Sequence, residues 1–327
     1  MDITIVLTTS PHRYGKHDDM ISLSIASLRE FGFADCPMII CADGINQQSR
    51  FFQQDKIIDY NEYLDSLQNK FQEAEFIVHA KHMGLTKSLE SGLKKVKTEY
   101  CFPFQHDIGL GPKFIDIDLN KKIEKLRKTK IKFYSFRRDH EIFTAGEFCR
   151  GWWRETPFSF LPEEFDGSAL DFWKNEISLG CHAGFGFQDH ACIIKPSQYI
   201  DIIRNKYDAN HSMFVEATIQ EEMRTFTVGD YWQWMKYGVA VDNAGGMVFH
   251  LDGHSKSGDI FPEELWSQGI CHPAIIKDYT EWMKDSRCSD EFKKCFYSFL
   301  GKETSSFDGR LMRNNGSGDG KPVYISK

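Results

Sequence analysis

The chain has 327 residues, 41% of them hydrophobic and 27% charged, with a formal net charge of −7. That length supports one large α/β domain or two small ones, and the acidic balance excludes unspecific nucleic-acid binding, which needs a basic face. No apolar run reaches the roughly 20 residues that cross a bilayer, and MDITIVLTTSPHRYG lacks the basic start and the cleavage site of a signal peptide.

The expected location is therefore the cytoplasm. The nine cysteines are scattered and odd in number, with no C-x-x-C pair. This excludes a zinc ribbon and a redox motif and fits small buried apolar groups.

Taken in order, the first 110 residues alternate strand-like and helix-like segments. Ile3–Leu7 reads as a buried strand, followed by the polar turn Thr8-Thr9-Ser10-Pro11-His12. Residues 19–31 read as an amphipathic helix carried by Ile21, Leu23, Ile25, Leu28 and Phe31. Pro37–Cys41 is a second strand, ended by the turn signal Ala42-Asp43-Gly44. Phe76–Ala80 is a third strand, and residues 86–96 are a helix with Leu89, Leu93 and Val96 on one side. Tyr100–Phe104 is a fourth strand that runs into Gln105-His106-Asp107.

Strands separated by helices imply parallel βαβ units, whose ligands sit at the carboxyl ends of the strands. Further along, residues 130–136 and 191–194 read as strands and residues 197–206 as a helix. Residues 214–237 read as one or two helices broken near Gly229. Residues 238–250 return to strand character and lead into His250-Leu251-Asp252-Gly253-His254. From residue 260 the pattern is helical, and the Asn/Gly/Ser-rich end reads as a flexible tail.

The window from Lys81 to Leu110, KHMGLTKSLESGLKKVKTEYCFPFQHDIGL, resembles the GT-A glycosyltransferases, in particular their family-2-like group. Met83-Gly84-Leu85-Thr86-Lys87 opens the helix, Thr98-Glu99-Tyr100 leads into the strand, and Gln105-His106-Asp107 stands at the D-x-D place. The resemblance implies an α/β fold of GT-A (Rossmann-like) type, a mixed, mainly parallel central sheet flanked by helices, with a helical C-terminal extension. It places the glycosyltransferase domain at residues 1–258, with a nucleotide-binding half to about 110 and an acceptor half from 111 to 258. The extension then covers 259–312 and the tail 313–327.

The implied activity is transfer of a sugar from a UDP-, GDP- or TDP-sugar to a hydroxyl of a glycan or glycoconjugate, inverting and dependent on Mn²⁺ or Mg²⁺. A departing nucleoside diphosphate carries several negative charges, and a strand-end carboxylate can hold the cation that neutralises them. Gln105 replaces the family's first aspartate, so only Asp107 supplies charge there, while the Gln amide retains hydrogen-bonding capacity. Thr8, Thr9, Ser10, Asp43, Lys87, Gln105, His106 and Asp107 are the expected donor-nucleotide contacts.

Asp107 with His250 or His254 is the expected metal and diphosphate set, since imidazole suits Mn²⁺. The resemblance also implies a base that deprotonates the acceptor in an inverting transfer, for which Glu216 and Asp230, each near a helix start, are the two candidates. Trp153, Gln188 and Asp189 are the expected acceptor contacts. Three rival readings remain. One is a nucleotidyltransferase, against which stands the absence of glycines in TTSPHRYG. The second is a metal-dependent hydrolase built on His250, Asp252 and His254. The third is a nucleotide-sugar-binding protein without activity, motivated by Gln105.

Overall fold

The computed structural model describes residues 1–10, 17–45, 55–129, 131–136, 181–183, 191–206, 237–242, 247–251, 273–299, 311–314 and 322–325, together with Ile219. Among these, an eight-stranded sheet has the order β3-β2-β1-β4-β8-β6-β9-β7. Its strands are β1 (Ile3–Thr9), β2 (Met38–Ala42), β3 (Glu75–Val78), β4 (Tyr100–Gln105), β6 (Phe133–Ser135), β7 (Cys181–Ala183), β8 (Cys192–Ile194) and β9 (Val239–Asp242). Neighbours pair in parallel from β3 through β4 and between β6 and β9, while β8 and β7 run against their partners. The result is the mixed, mainly parallel sheet that the resemblance implies.

The alternation within strands explains why the sheet is buried on both sides. Ile3, Ile5 and Leu7 of β1, Met38 and Ile40 of β2, and Phe102 and Phe104 of β4 belong to one core. Val6, Ile39, Cys41 and Cys101, the residues between them, belong to another. Successive side chains point to opposite faces, so near-continuous apolar strands require helices on both. Helices α1 (His17–Leu28), α2 (Asp55–Lys70) and α4 (Leu119–Arg127) cover the first face through Ile21, Leu67 and Ile123. Helices α3 (Leu85–Leu93) and α5 (Pro196–Lys206) cover the second through Leu89, Leu93, Tyr199 and Ile203.

This two-faced arrangement creates a switch point. The chain steps outward from β1 to β2 to β3 with α1 and α2 on one face. It then returns past β1 to β4 with α3 on the other face. In open α/β sheets the crevice outside the carboxyl ends at such a reversal is where ligands bind. Here the reversal lies between β1 and β4, so Thr8 and Gln105, paired in register, border it.

The expected helical C-terminal region contains α6 (Pro273–Trp282) and α7 (Asp290–Phe299). Their rings pack onto the turn at residues 29–33 that follows α1: Phe31 lies edge-on to Trp282 at 5.4 Å and to Phe292 at 5.5 Å. Glu30 fastens the pair by accepting from Trp282 Nε1 at 2.7 Å and from the Ser289 amide and hydroxyl. In the stretch whose composition reads as a tail, β11 (Leu311–Asn314) pairs antiparallel with β12 (Pro322–Ile325). Cys36, Cys41, Cys101, Cys192, Cys288 and Cys295 are free thiols, and among the described residues no helix is long and apolar enough to cross a membrane.

Candidate functional site at the carboxyl ends of the strands

Four strand ends are tied together by backbone hydrogen bonds. The Asp43 amide donates to Thr9 O at 2.8 Å, the His106 amide to Thr8 O at 3.0 Å, and the His79 amide to Ala42 O at 2.9 Å. The polar turns after β1, β2 and β4 therefore form one continuous rim.

Along that rim many side chains already have partners. Thr8 Oγ1 donates to Phe104 O, and Thr9 Oγ1 lies 2.6 Å from Tyr63 Oη. Asp43 is buried, and its Oδ1 accepts from the amides of Gly44 (2.9 Å) and Met83 (2.6 Å). Its Oδ2 accepts from the Gly84 amide (3.1 Å) and lies 2.7 Å from His82 Nδ1. One carboxylate thus gathers the loop before α3.

Glycine is required once in this loop and once in the turn it meets. Gly84 sits at φ 79°, a conformation L side chains rarely adopt. A Cβ on Gly44 would stand 2.3 Å from the Lys81 carbonyl carbon, so only a bare backbone lets the two loops meet.

Two residues with no expected role emerge here, Tyr60 and Tyr63 on α2. Tyr60 Oη donates to Asp43 O at 2.6 Å, and the two rings stack at 5.7 Å. Burial pushes both phenols well above the ordinary 10, and the Asp43 carboxylate adds to the effect at Tyr60. Both remain neutral phenols. Their i, i+3 spacing on a helix is the sequence signal that marks them as neighbours.

Lys87, on the first turn of α3, pairs with Glu90 at 3.0 Å. Burial alone would raise the Glu90 carboxyl. The bonds from Lys94 and Lys87 outweigh burial and hold it below the usual range.

At the end of β4, Gln105 and Asp107 are partly exposed, whereas His106 and Ile108 between and beyond them are buried. The chain then enters β5 (Ile108–Leu110), which pairs antiparallel with β10 (Val248–His250), setting His250 opposite Ile108. The Leu251 amide donates to Asp107 O at 2.7 Å, and the Gly111 amide to Met247 O at 2.8 Å. Two segments about 140 residues apart in sequence, singled out separately as phosphate-site candidates, are thus joined by one short ladder.

No protein-family model and no curated protein matches this chain. Similar solved structures include residues 1–349 of S. aureus TarS, at 12% identity and TM-score 0.41, covering 91% of this chain and 72% of that one. The longer S. aureus TarS structure has 9% identity and TM-score 0.41, covering 94% of this chain and 45% of that one. TarS 1–349 in complex with UDP-GlcNAc has 12% identity and TM-score 0.39, covering 94% and 75%. Likeness at this level describes neither a shared site nor a shared substrate.

Of the expected site residues, Thr8, Thr9, Ser10, Asp43, Gln105, His106 and Asp107 lie on the rim, and Lys87 lies on the helix that the rim loop opens. His250 is described as a ladder position. Glu216, Asp230, His254, Trp153, Gln188 and Asp189 lie outside the described residues. Among the described residues no three His, Cys, Asp or Glu side chains gather as a metal cage. The donor chemistry on the rim is one partly exposed carboxylate, Asp107, beside an amide, Gln105. Such a pair fits a hard cation that completes its shell with phosphate and water, as Mg²⁺ characteristically does.

Proposed function

We propose that this chain is a GT-A-type glycosyltransferase that moves a sugar from a nucleotide-diphosphate donor to a hydroxyl of a glycan or glycoconjugate. The observation that carries the proposal is the β5–β10 ladder. It brings the His250 segment to the end of β4 beside Asp107, at the β1/β4 switch point.

In this reading the donor lies across the rim. Ser10, Gln105 and Asp107 meet the nucleotide and diphosphate directly. Thr8, Thr9 and Asp43 also fix the backbone through the bonds their polar atoms make within the protein. His106 is buried under the turn and supports it, and Lys87 adds positive charge at the start of α3. Asp107, with His250 or His254, would hold Mn²⁺ or Mg²⁺, which neutralises the charge of the departing diphosphate.

Trp153, Gln188 and Asp189 are assigned to the acceptor, and Glu216 or Asp230 to the base. The base takes the acceptor O–H proton as that oxygen bonds the anomeric carbon. The bond from that carbon to the phosphate oxygen breaks, and its electron pair leaves with the nucleoside diphosphate. The proposed domain runs from residue 1 to 258, followed by the C-terminal extension.

The second reading, a nucleotide-sugar-binding protein without turnover, is favoured by Gln105 alone, since one carboxylate binds a cation less tightly than two. Thermal unfolding against UDP, GDP and TDP, with and without Mn²⁺, tests the donor site. A ligand that binds only the folded state at about 100 times its Kd adds about 2.7 kcal/mol. The proposal predicts such a gain with one nucleotide and metal, lost in Asp107→Ala. No gain with any nucleotide refutes the donor site and both readings together.

A further inference from the structure

We infer that Tyr279, on the C-terminal helix α6, is a positioning residue of the donor site. The inference rests on the assignment of the Asp107 strand end to the donor diphosphate. It begins from the hydrogen-bond pattern of the β5–β10 ladder. In an antiparallel pair, positions that exchange hydrogen bonds alternate with positions whose amide and carbonyl point away from the partner strand. Asp107 with Leu251 and Gly111 with Met247 are bonded positions, so Leu110, opposite Val248, turns its peptide groups outward.

Leu110 is completely buried, and those outward groups need partners. Two side chains supply them. The Leu110 amide donates to Ser27 Oγ of α1 at 3.0 Å, and the Leu110 carbonyl accepts from Tyr279 Oη at 2.6 Å. Ser27 and Tyr279 together do the work of a third strand along the outer edge of β5.

The contact is close as well as polar. A Cβ on Gly109 would lie 2.6 Å from Tyr279 Oη and 2.9 Å from Leu251 Cδ2. The hydroxyl therefore presses on the backbone whose next residues are Ile108 and Asp107. The Tyr279 ring is itself fixed edge-on by Phe292 at 4.9 Å and Phe296 at 5.5 Å. Rigid support for a binding constellation comes from side chains locked by their own packing. In this way α6 and α7 set the height and pitch of the strand end that carries Asp107.

Tyr279→Phe tests this in the full-length protein, because it removes one oxygen and leaves the ring contacts in place. Two quantities are read beside the parent: amide hydrogen exchange of Leu251 and Gly111, and the Kd for UDP, GDP and TDP with Mn²⁺. The expected result is faster exchange at those two amides and a weaker Kd, each by about five- to tenfold, the size of a lost buried hydrogen bond. The Ile5 amide, bonded to Pro37 O far from the ladder, should keep its protection.

Unchanged exchange at Leu251 overturns the inference, and so does faster exchange with an unchanged Kd. A parent that binds none of the three nucleotides refutes the donor-site assignment itself. That failure is distinguishable, because the exchange measurement reports on the ladder without any ligand. Gly109→Ala gives an independent perturbation, since its Cβ meets the Tyr279 hydroxyl. Combined with Tyr279→Phe it should cost less than the two effects added.

Discussion

Replacing Asp43 by alanine removes the group that gathers the loop before α3, and the size of the loss follows from its partners. Three backbone amides, of Gly44, Met83 and Gly84, donate to this buried carboxylate at 2.6 to 3.1 Å. A hydrogen bond to a charged group contributes about 1.5–3 kcal/mol when buried, and the half-exposed Met83–Gly84 segment regains some water when the acceptor is lost. Taking about 1 kcal/mol for each amide gives about 3 kcal/mol of destabilisation.

The fourth partner behaves differently. His82 is 39% exposed at its side chain, so its contact with Asp43 belongs with surface pairs worth about 0–1 kcal/mol. Urea unfolding of Asp43→Ala and His82→Ala beside the parent reads both values from the shift of the midpoint at unchanged slope. The expected ratio between the two losses is at least about three, by the per-bond values just used. It is refuted if His82→Ala costs as much as Asp43→Ala, or if Asp43→Ala unfolds with the parent.

Other residues give further expectations. Gly92 lets α3 lie against the sheet, and a Cβ there would stand 2.5 Å from both Cys41 Sγ and Val6 Cγ1. Gly92→Ala should therefore cost about 1–3 kcal/mol by overpacking, and Cys41→Ala should return part of it in the double variant. Burial pushes the Cys41 thiol up to about 12, so alkylation at pH 8 should leave Cys41 unmodified in the native protein and label it after unfolding. The Arg287 guanidinium holds Asp285 at about 2, below the ordinary 3.8. The contribution of that pair is present above pH 4 and lost as pH falls through 2; a carboxyl NMR titration should find this midpoint, and Arg287→Gln should move it back towards 3.8.

The strand ends that border the site were legible because a buried parallel strand has a run of apolar residues and stops at polar turn residues. Ile3–Leu7, Pro37–Cys41 and Tyr100–Phe104 carry that signature, and β1, β2 and β4 follow them to within a residue or two at each end. The ladder was not legible. Ile108-Gly109-Leu110 is three residues long and contains a glycine, so it looks like the exit of a turn. Residues 238–250 show strand character without a visible break, whereas the structure forms β9 and β10 as two strands in different sheets.

The partnership of Leu110 with Ser27 and Tyr279 spans 83 and 169 residues, and local pattern carries no information at that range. Helix α4 did have a signal, Leu119, Ile123 and Leu126 at i, i+4 and i+7, under a strongly basic surface. The role of Asp43 shows the opposite limit. Its position after β2 was readable, but only the folded chain reveals that its oxygens are engaged by the loop at 82–84.

The most direct test of the central claim is release of nucleoside diphosphate from the nucleotide-sugar selected by binding, with Mn²⁺, comparing the parent with Asp107→Asn. The account predicts measurable release by the parent and a loss on the order of a hundredfold or more in Asp107→Asn, in keeping with the several kcal/mol that charge stabilisation of a leaving group supplies. A parent that binds the nucleotide-sugar tightly and releases nothing, with a range of sugar acceptors present, would make it a binding protein. Equal release by Asp107→Asn would remove Asp107 from the centre of the site.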